Sequence, residues 1–76
     1  MNIDYKVYEI MKNIFGQELP ENRNDITMKL LENWDSINHL NIIVSIEEEF
    51  SLVLNEKEIE EANSFYSICS IISKKV

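Results

Sequence analysis

The residues best suited to chemistry lie together near the middle of the chain. Asp35 and Ser36 form a pair, His39 follows three residues later, and three consecutive glutamates occupy positions 47–49. A serine with a histidine and a carboxylate nearby first suggests nucleophilic catalysis, which also needs an oxyanion site and a sheltered pocket. The chain has one glycine and no G-x-S-x-G turn. We therefore expect no enzyme activity.

Metal chemistry has equally little support in the sequence. The single histidine, His39, and the single cysteine, Cys69, are thirty residues apart and match no zinc spacing. The acidic runs lack the D-x-[DN]-x-[DN]-G loop of a calcium site. We therefore expect no bound metal, and we interpret Cys69 as a small core residue.

The composition limits the cellular setting. With 76 residues, of which 45% are hydrophobic, the chain is long enough for one small folded domain, residues 1–76. Its apolar runs, such as Ile42–Val44, are too short for a membrane-spanning helix or a secretory signal, and "MNIDYK" has no basic start. A single cysteine fits a reducing compartment. We predict a cytoplasmic monomer without stable membrane insertion.

The charge is concentrated in one stretch. The net charge is −7, and residues 35–61 contain eight acids against Lys57 alone, so this stretch carries the whole net charge. Nucleic acids and anionic membranes attract positive charge, so neither is expected as a partner. An acidic stretch favours partner proteins with basic surfaces. The alternative is a solvated acidic face that only keeps the protein soluble.

Helical periodicity supplies the elements that must position these residues. Residues 2–15 have an amphipathic pattern that ends at Gly16. The residues of this helix predicted to face inward are Ile3, Val7, Ile10, Met11 and Ile14. Residues 17–34 form a long polar connection, which we expect to pack onto the core through Ile26, Leu30 and Leu31.

The second helix is predicted to run from about Ser36 to Phe50. Its buried side is predicted to consist of Ile37, Leu40, Ile43, Val44, Ile46 and Phe50. Glu47, Glu48 and Glu49 fall in its last turn, where the helix dipole disfavours negative charge. Because no structural benefit is evident from the sequence, these glutamates suggest a function.

Two further helices complete the predicted fold. "NEKE" at residues 55–58 is a capping-box pattern that opens a short third helix ending near Glu61. A fourth helix is predicted to begin after Asn63 or Ser64. Its inward residues are predicted to be Phe65, Ile68, Ile71 and Ile72, and Lys74 and Lys75 suit its C-terminal end. The sequence therefore predicts an all-α bundle.

Ser36 has two interpretations at the start of the second helix. An Asp or Ser at this position is ordinarily an N-cap, and that would be its whole role. Alternatively, an exposed hydroxyl after a long connection is a point of attachment. A phosphate there is stabilised by the free backbone N–H groups and by the helix dipole.

The segment "WDSINHLNIIVSIEEEF" resembles the modification site of acyl carrier proteins and peptidyl carrier domains. In these families an Asp-Ser-Leu motif, or a close variant, opens an apolar-striped helix that ends in glutamates. The resemblance extends over nearly the whole chain, including the short acidic third helix and the "NSF" opening of the fourth. It implies a four-helix bundle of acyl-carrier type, with three longer helices, a short third helix and a long loop between the first two.

The resemblance also implies a function. Ser36 would carry 4′-phosphopantetheine, attached from coenzyme A by a phosphopantetheinyl transferase that recognises Asp35. Acyl or aminoacyl groups would ride on this arm as thioesters, loaded by a ligase and passed to synthase or transferase enzymes. Their basic surfaces would meet Ile37, which replaces the usual leucine, and Leu40, together with Glu47, Glu48 and Glu49. If the cargo is apolar, we expect Leu40, Val44 and Ile59 to line an acyl pocket.

The sequence also departs from the common pattern of this family. Trp34 stands where many fatty-acid carriers have glycine, and Asn38, His39 and Asn41 stand where acids are frequent. These departures favour a stand-alone carrier in a specialised pathway. We interpret Trp34 as a loop anchor and His39 as a surface residue beside the arm.

Two other functions stay open at this point. A small acidic helical adaptor would bind partners without a prosthetic group. A regulatory phosphoprotein would carry a simple phosphate on Ser36.

Overall fold

The structure, a computed structural model, describes residues 2–76 and has four α-helices in that range. They are α1 (Ile3–Phe15), α2 (Ser36–Phe50), α3 (Glu56–Glu61) and α4 (Phe65–Lys75). Two short 3-10 turns, Gly16–Glu18 and Arg23–Asp25, lie in the connection between α1 and α2. Residues 2–76 contain no strand, only an isolated antiparallel bridge between Thr27 and Ser64. The prediction of an all-α bundle is confirmed.

The helix ends follow from local sequence chemistry. Asn55 and Glu58 form the predicted capping box, each side chain accepting the other's backbone N–H, at 2.8 and 2.9 Å. Ser64 and Ser67 form a second one at the start of α4. Gly16 ends α1 with a φ of 61°, a backbone conformation that costs glycine little.

The core lies where α1 packs against α2 and α4. Most residues of this core were predicted to be buried. Ile3, Ile14 and Ile71 were also predicted to face inward, and they are partly buried at its edge. The buried hydrophobic residues are Val7, Ile10, Met11, Phe15, Leu19, Ile26, Trp34, Ile42, Ile43, Ile46, Phe50, Leu54, Ala62, Phe65, Ile68, Cys69 and Ile72.

The predicted buried face of α2 is wrong along half of its length. Ile43, Ile46 and Phe50 are buried as predicted, and the pattern missed Ile42, which is fully buried. Three of the residues predicted to be inside are exposed instead: Ile37 (73%), Leu40 (62%) and Val44 (43%). The physical reason is that α2 is apolar on most of its circumference, so periodicity alone does not select the side that α1 covers.

The connection between α1 and α2 is fastened to the start of α4. The backbone N–H of Phe65 donates to the Ile26 carbonyl, and that of Met28 donates to the Asn63 carbonyl, both at 2.9 Å. Ile26 is fully buried and Leu31 packs partly buried against the core, as predicted. Leu30 was predicted to pack inward but is 61% exposed. The connection is thus anchored by its middle, and its last residues lead directly into α2.

Candidate functional site

The start of α2 is capped by Asp35 and not by Ser36. The Asp35 side chain accepts the backbone N–H of Asn38 at 2.9 Å, which is the ordinary N-cap hydrogen bond. The Asn38 side chain in turn donates to the Asn33 carbonyl at 2.7 Å and fixes the entry of the chain. Ser36 is the first helical residue, is exposed, and contributes its hydroxyl to none of the hydrogen bonds found in residues 2–76. The interpretation of Ser36 as only a cap is therefore wrong.

An apolar stripe begins next to this hydroxyl. Ile37, Leu40 and Val44 are spaced by three and four residues and so share one face of α2, and all three are exposed. Glu48 continues the same spacing and is also exposed. Contiguous exposed apolar patches mark contact surfaces, whereas single exposed aliphatic residues are ordinary. The stripe is thus a short exposed apolar strip that begins beside Ser36 and ends at the Glu48 carboxylate.

His39 lies on a different side of α2 and joins three parts of the chain. Its Nδ1 accepts the indole N–H of Trp34 at 2.9 Å, and its Nε2 lies 2.8 Å from the carbonyl oxygen of Ile59 in α3. Trp34 is 3% exposed and packs against Phe15, with ring centroids 6.0 Å apart. The prediction that Trp34 anchors the loop is confirmed. His39, predicted to be a surface residue, is half-buried and bonded on both sides of its ring.

The three glutamates of α2 differ from one another. Glu47 accepts the backbone N–H of Leu54 at 2.9 Å, and Glu49 forms a 2.9 Å ion pair with Lys6 of α1. The expectation that these residues have no structural benefit is therefore wrong for Glu47, which holds the turn after α2, where Ser51 has a left-handed φ of 54°. Glu48 has no partner among the hydrogen bonds and ion pairs found in residues 2–76.

The acids of α3 are also not equivalent. Glu58 accepts the backbone N–H of Asn55 and the ammonium of Lys75, at 2.9 and 3.0 Å. The hydrogen bond from Asn55 and then the one from Lys75 hold the pKa of this carboxyl below its ordinary value. Glu56, Glu60 and Glu61 are exposed. The negative surface available to a partner around α2 and α3 is therefore smaller than the sequence indicates.

The residues of the predicted acyl pocket do not enclose a cavity together. Leu40 and Val44 project to the surface, while Ile59 packs partly buried against the core. Three open grooves on the surface of residues 2–76 are lined by other residues. An opening between α2 and α3 would have to form for cargo to enter, so the pocket stays a prediction.

Cys69 is buried in α4, as predicted. Burial, and then the nearby Asp4 carboxylate, raise the pKa of its thiol to about 12. The thiol therefore stays protonated at neutral pH and is a poor nucleophile.

Sequence reasoning missed the bridge made by His39. Its signal in the sequence is faint, a histidine five residues after a tryptophan, and the Ile59 carbonyl is a backbone group twenty residues away.

Residues 2–76 hold no cluster of three or more His, Cys, Asp or Glu side chains that could ligate a metal. No helix in this range is both long and apolar enough to cross a membrane. Comparison with protein-family models, curated proteins and solved structures finds no match.

Proposed function

We propose that this protein is a carrier that holds acyl or aminoacyl groups on a 4′-phosphopantetheine arm attached to Ser36 and delivers them to partner enzymes. The four-helix arrangement is compatible with the acyl-carrier type. The observation that carries the proposal is the unused hydroxyl of Ser36. Asp35 already supplies the N-cap, so the serine oxygen is exposed and free of local hydrogen bonds.

The position of Ser36 suits a phosphodiester. The first backbone N–H groups of α2 lack helical partners, and together with the helix dipole they stabilise negative charge at this end. Only one of them, that of Asn38, is taken by the Asp35 side chain. A phosphate on Ser36 therefore has favourable electrostatics in an otherwise acidic region.

The attachment chemistry requires little of this chain. The Ser36 oxygen forms a bond to the phosphorus of the phosphopantetheine half of coenzyme A. The bond from that phosphorus to the adenosine bisphosphate half breaks, and the hydroxyl proton passes to a base of the transferase. The attached group supplies a terminal thiol that holds the cargo as a thioester. Cys69 is unsuited to that task because it is buried and protonated.

The surface beside Ser36 suits brief contacts with several enzymes. Ile37, Leu40 and Val44 provide a small apolar strip, Glu48 provides negative charge at its end, and Glu60 and Glu61 of α3 are also exposed. Charge complementarity speeds the encounter with a basic enzyme, and a small interface allows rapid dissociation. The protein itself performs no catalysis in this proposal. It raises the effective concentration of tethered cargo at each partner.

A second candidate function is an acidic adaptor without a prosthetic group. The exposed stripe favours it independently of Ser36, because a row of unburied aliphatic residues suits any protein partner. The two functions differ in their dependence on the hydroxyl. Binding of an adaptor to its partner survives Ser36→Ala, whereas loading of a carrier does not.

The test is covalent modification in the presence of coenzyme A and a broad-specificity phosphopantetheinyl transferase. We expect the intact mass of the wild-type protein to increase by one phosphopantetheine, and that of Ser36→Ala to stay unchanged. Ser70→Ala is the matched control, because Ser70 is an exposed serine on a different helix, and it should be modified like wild type.

The result against the proposal is equally clear. An unmodified wild-type protein, folded by circular dichroism and treated beside a standard carrier that is modified, would favour the adaptor. A mass gain of a simple phosphate on Ser36 in cells would favour the regulatory phosphoprotein.

A further inference from the structure

The hydrogen bonds of His39 define its protonation. An indole N–H can only donate, so His39 Nδ1 must present its lone pair to Trp34. A backbone carbonyl can only accept, so His39 Nε2 must carry the hydrogen that it shares with Ile59. The geometry therefore assigns one neutral tautomer, with the proton on Nε2.

This ring connects the helix turn of Ser36 with its surroundings. The His39 backbone N–H donates to the Asp35 carbonyl at 2.8 Å, so His39 belongs to the same first turn as Ser36. Across residues 2–76, the bond from His39 to Ile59 is the one hydrogen bond found that joins α2 to α3. Trp34 holds the other edge of the ring and is itself wedged against Phe15. The hydrogen-bonded link between the first turn of α2 and α3 thus runs through a single side chain, beside the packing of Ile59 against the core.

We propose that His39 is a positioning residue for Ser36, holding the first turn of α2 at a fixed offset from α3. The inference rests on the proposed carrier function. His39 lies in the same turn as Ser36, so a change in its link to α3 moves the turn that a transferase must reach. In this arrangement Nε2 sets the offset between the helices, and Trp34 sets the orientation of the ring.

Two substitutions of His39 separate its hydrogen bond to Ile59 from its hydrogen bond to Trp34. His39→Gln keeps a donor near the position of Nε2, which can still reach the Ile59 carbonyl. His39→Asn keeps an acceptor near the position of Nδ1 for Trp34 but is too short to reach α3. If positioning depends on the link to α3, His39→Gln retains most of the modification rate, within about threefold, and His39→Asn loses tenfold or more. The rate measured is kcat/KM of the transferase reaction on Ser36.

A matched control removes stability as an explanation. Ile72→Val creates a small defect in the core of α4, where Ile72 is fully buried, without touching His39. Each variant is compared with wild type by its melting temperature and by its modification rate. We expect Ile72→Val to melt at a lower temperature and still be modified at the wild-type rate below its transition.

A spectroscopic readout tests the tautomer directly. In ¹⁵N spectra at pH 8, we expect His39 Nδ1 to have the shift of an unprotonated ring nitrogen and Nε2 that of a protonated one. In His39→Gln the Trp34 indole N–H loses its acceptor and should exchange with solvent faster, whereas in His39→Asn it keeps an acceptor and should exchange at close to the wild-type rate.

The outcomes are distinguishable from those of the proposed function. Failure of the wild-type protein to be modified would remove the carrier function, and this inference with it. A modified wild type with equal rates for His39→Asn and His39→Gln would remove the positioning role alone. The opposite ring tautomer, or an Ile72→Val rate reduced as much as that of His39→Asn, would also overturn it.

Discussion

The two ends of α2 differ in which side chains are exposed and which stabilise the fold. At the N-terminal end, aliphatic side chains that could have joined the core stay in solvent, and Ile37 is 73% exposed. At the C-terminal end, Glu47 accepts the backbone N–H of Leu54 and holds the following turn, while Glu49 stays exposed in an ion pair with Lys6. The exposed apolar residues of α2 thus lie between Ile37 and Val44, and the carboxylate that serves the fold lies in its last turn.

The strongest test of this comparison truncates two neighbouring residues of α2 that differ in burial. Ile43 is 2% exposed and Val44 is 43% exposed. We expect Ile43→Ala to lower the free energy of unfolding by about 2–5 kcal/mol, because it removes buried methylenes and leaves a cavity. Val44→Ala should change it by about 0.5 kcal/mol or less. Urea denaturation of the two variants checks this, and a similar loss in both would mean that the stripe is part of the core.

A smaller change in stability is expected from the glutamates in the last turn of α2. Glu47→Ala leaves the partly buried N–H of Leu54 without its acceptor and should cost about 1–3 kcal/mol. Glu48→Ala removes a charge that the dipole disfavours and should leave stability unchanged or slightly higher. Thermal melts of both variants make the comparison. Equal melting temperatures would show that the Glu47 hydrogen bond does not hold the turn.

The smallest change in stability is expected at the start of α2, from Asp35 and Ser36. Asp35→Ala loses the bond to the Asn38 N–H and should destabilise the protein by about 1 kcal/mol. Ser36→Ala should change the free energy of unfolding by about 0.5 kcal/mol or less, since its hydroxyl caps nothing. Denaturation curves of the two variants measure the difference. A loss at Ser36 equal to that at Asp35 would return the serine to a capping role.

Much of the fold could be predicted because its signals are local. The ends of the helices depend on residues within four positions of each other, as in the Asn55–Glu58 capping box and the Gly16 stop. The core faces of α1 and α4 were clear because polar residues mark their outer sides. On α2 the same reasoning failed, since apolar residues surround most of the helix and only packing against α1 decides which are covered.

The features of the candidate site also fall into those set by local sequence and those set by tertiary packing. The sequence by itself determined the Asp-Ser start of α2, the acidic stretch from Asp35 to Glu61 and the four-helix pattern, because these are properties of neighbouring residues. Only the tertiary structure decided that Glu47 serves the fold and that His39 bridges Trp34 and Ile59. The physical reason is that hydrogen bonds are exclusive. Which of several eligible groups accepts a given N–H depends on distances that the folded chain alone defines.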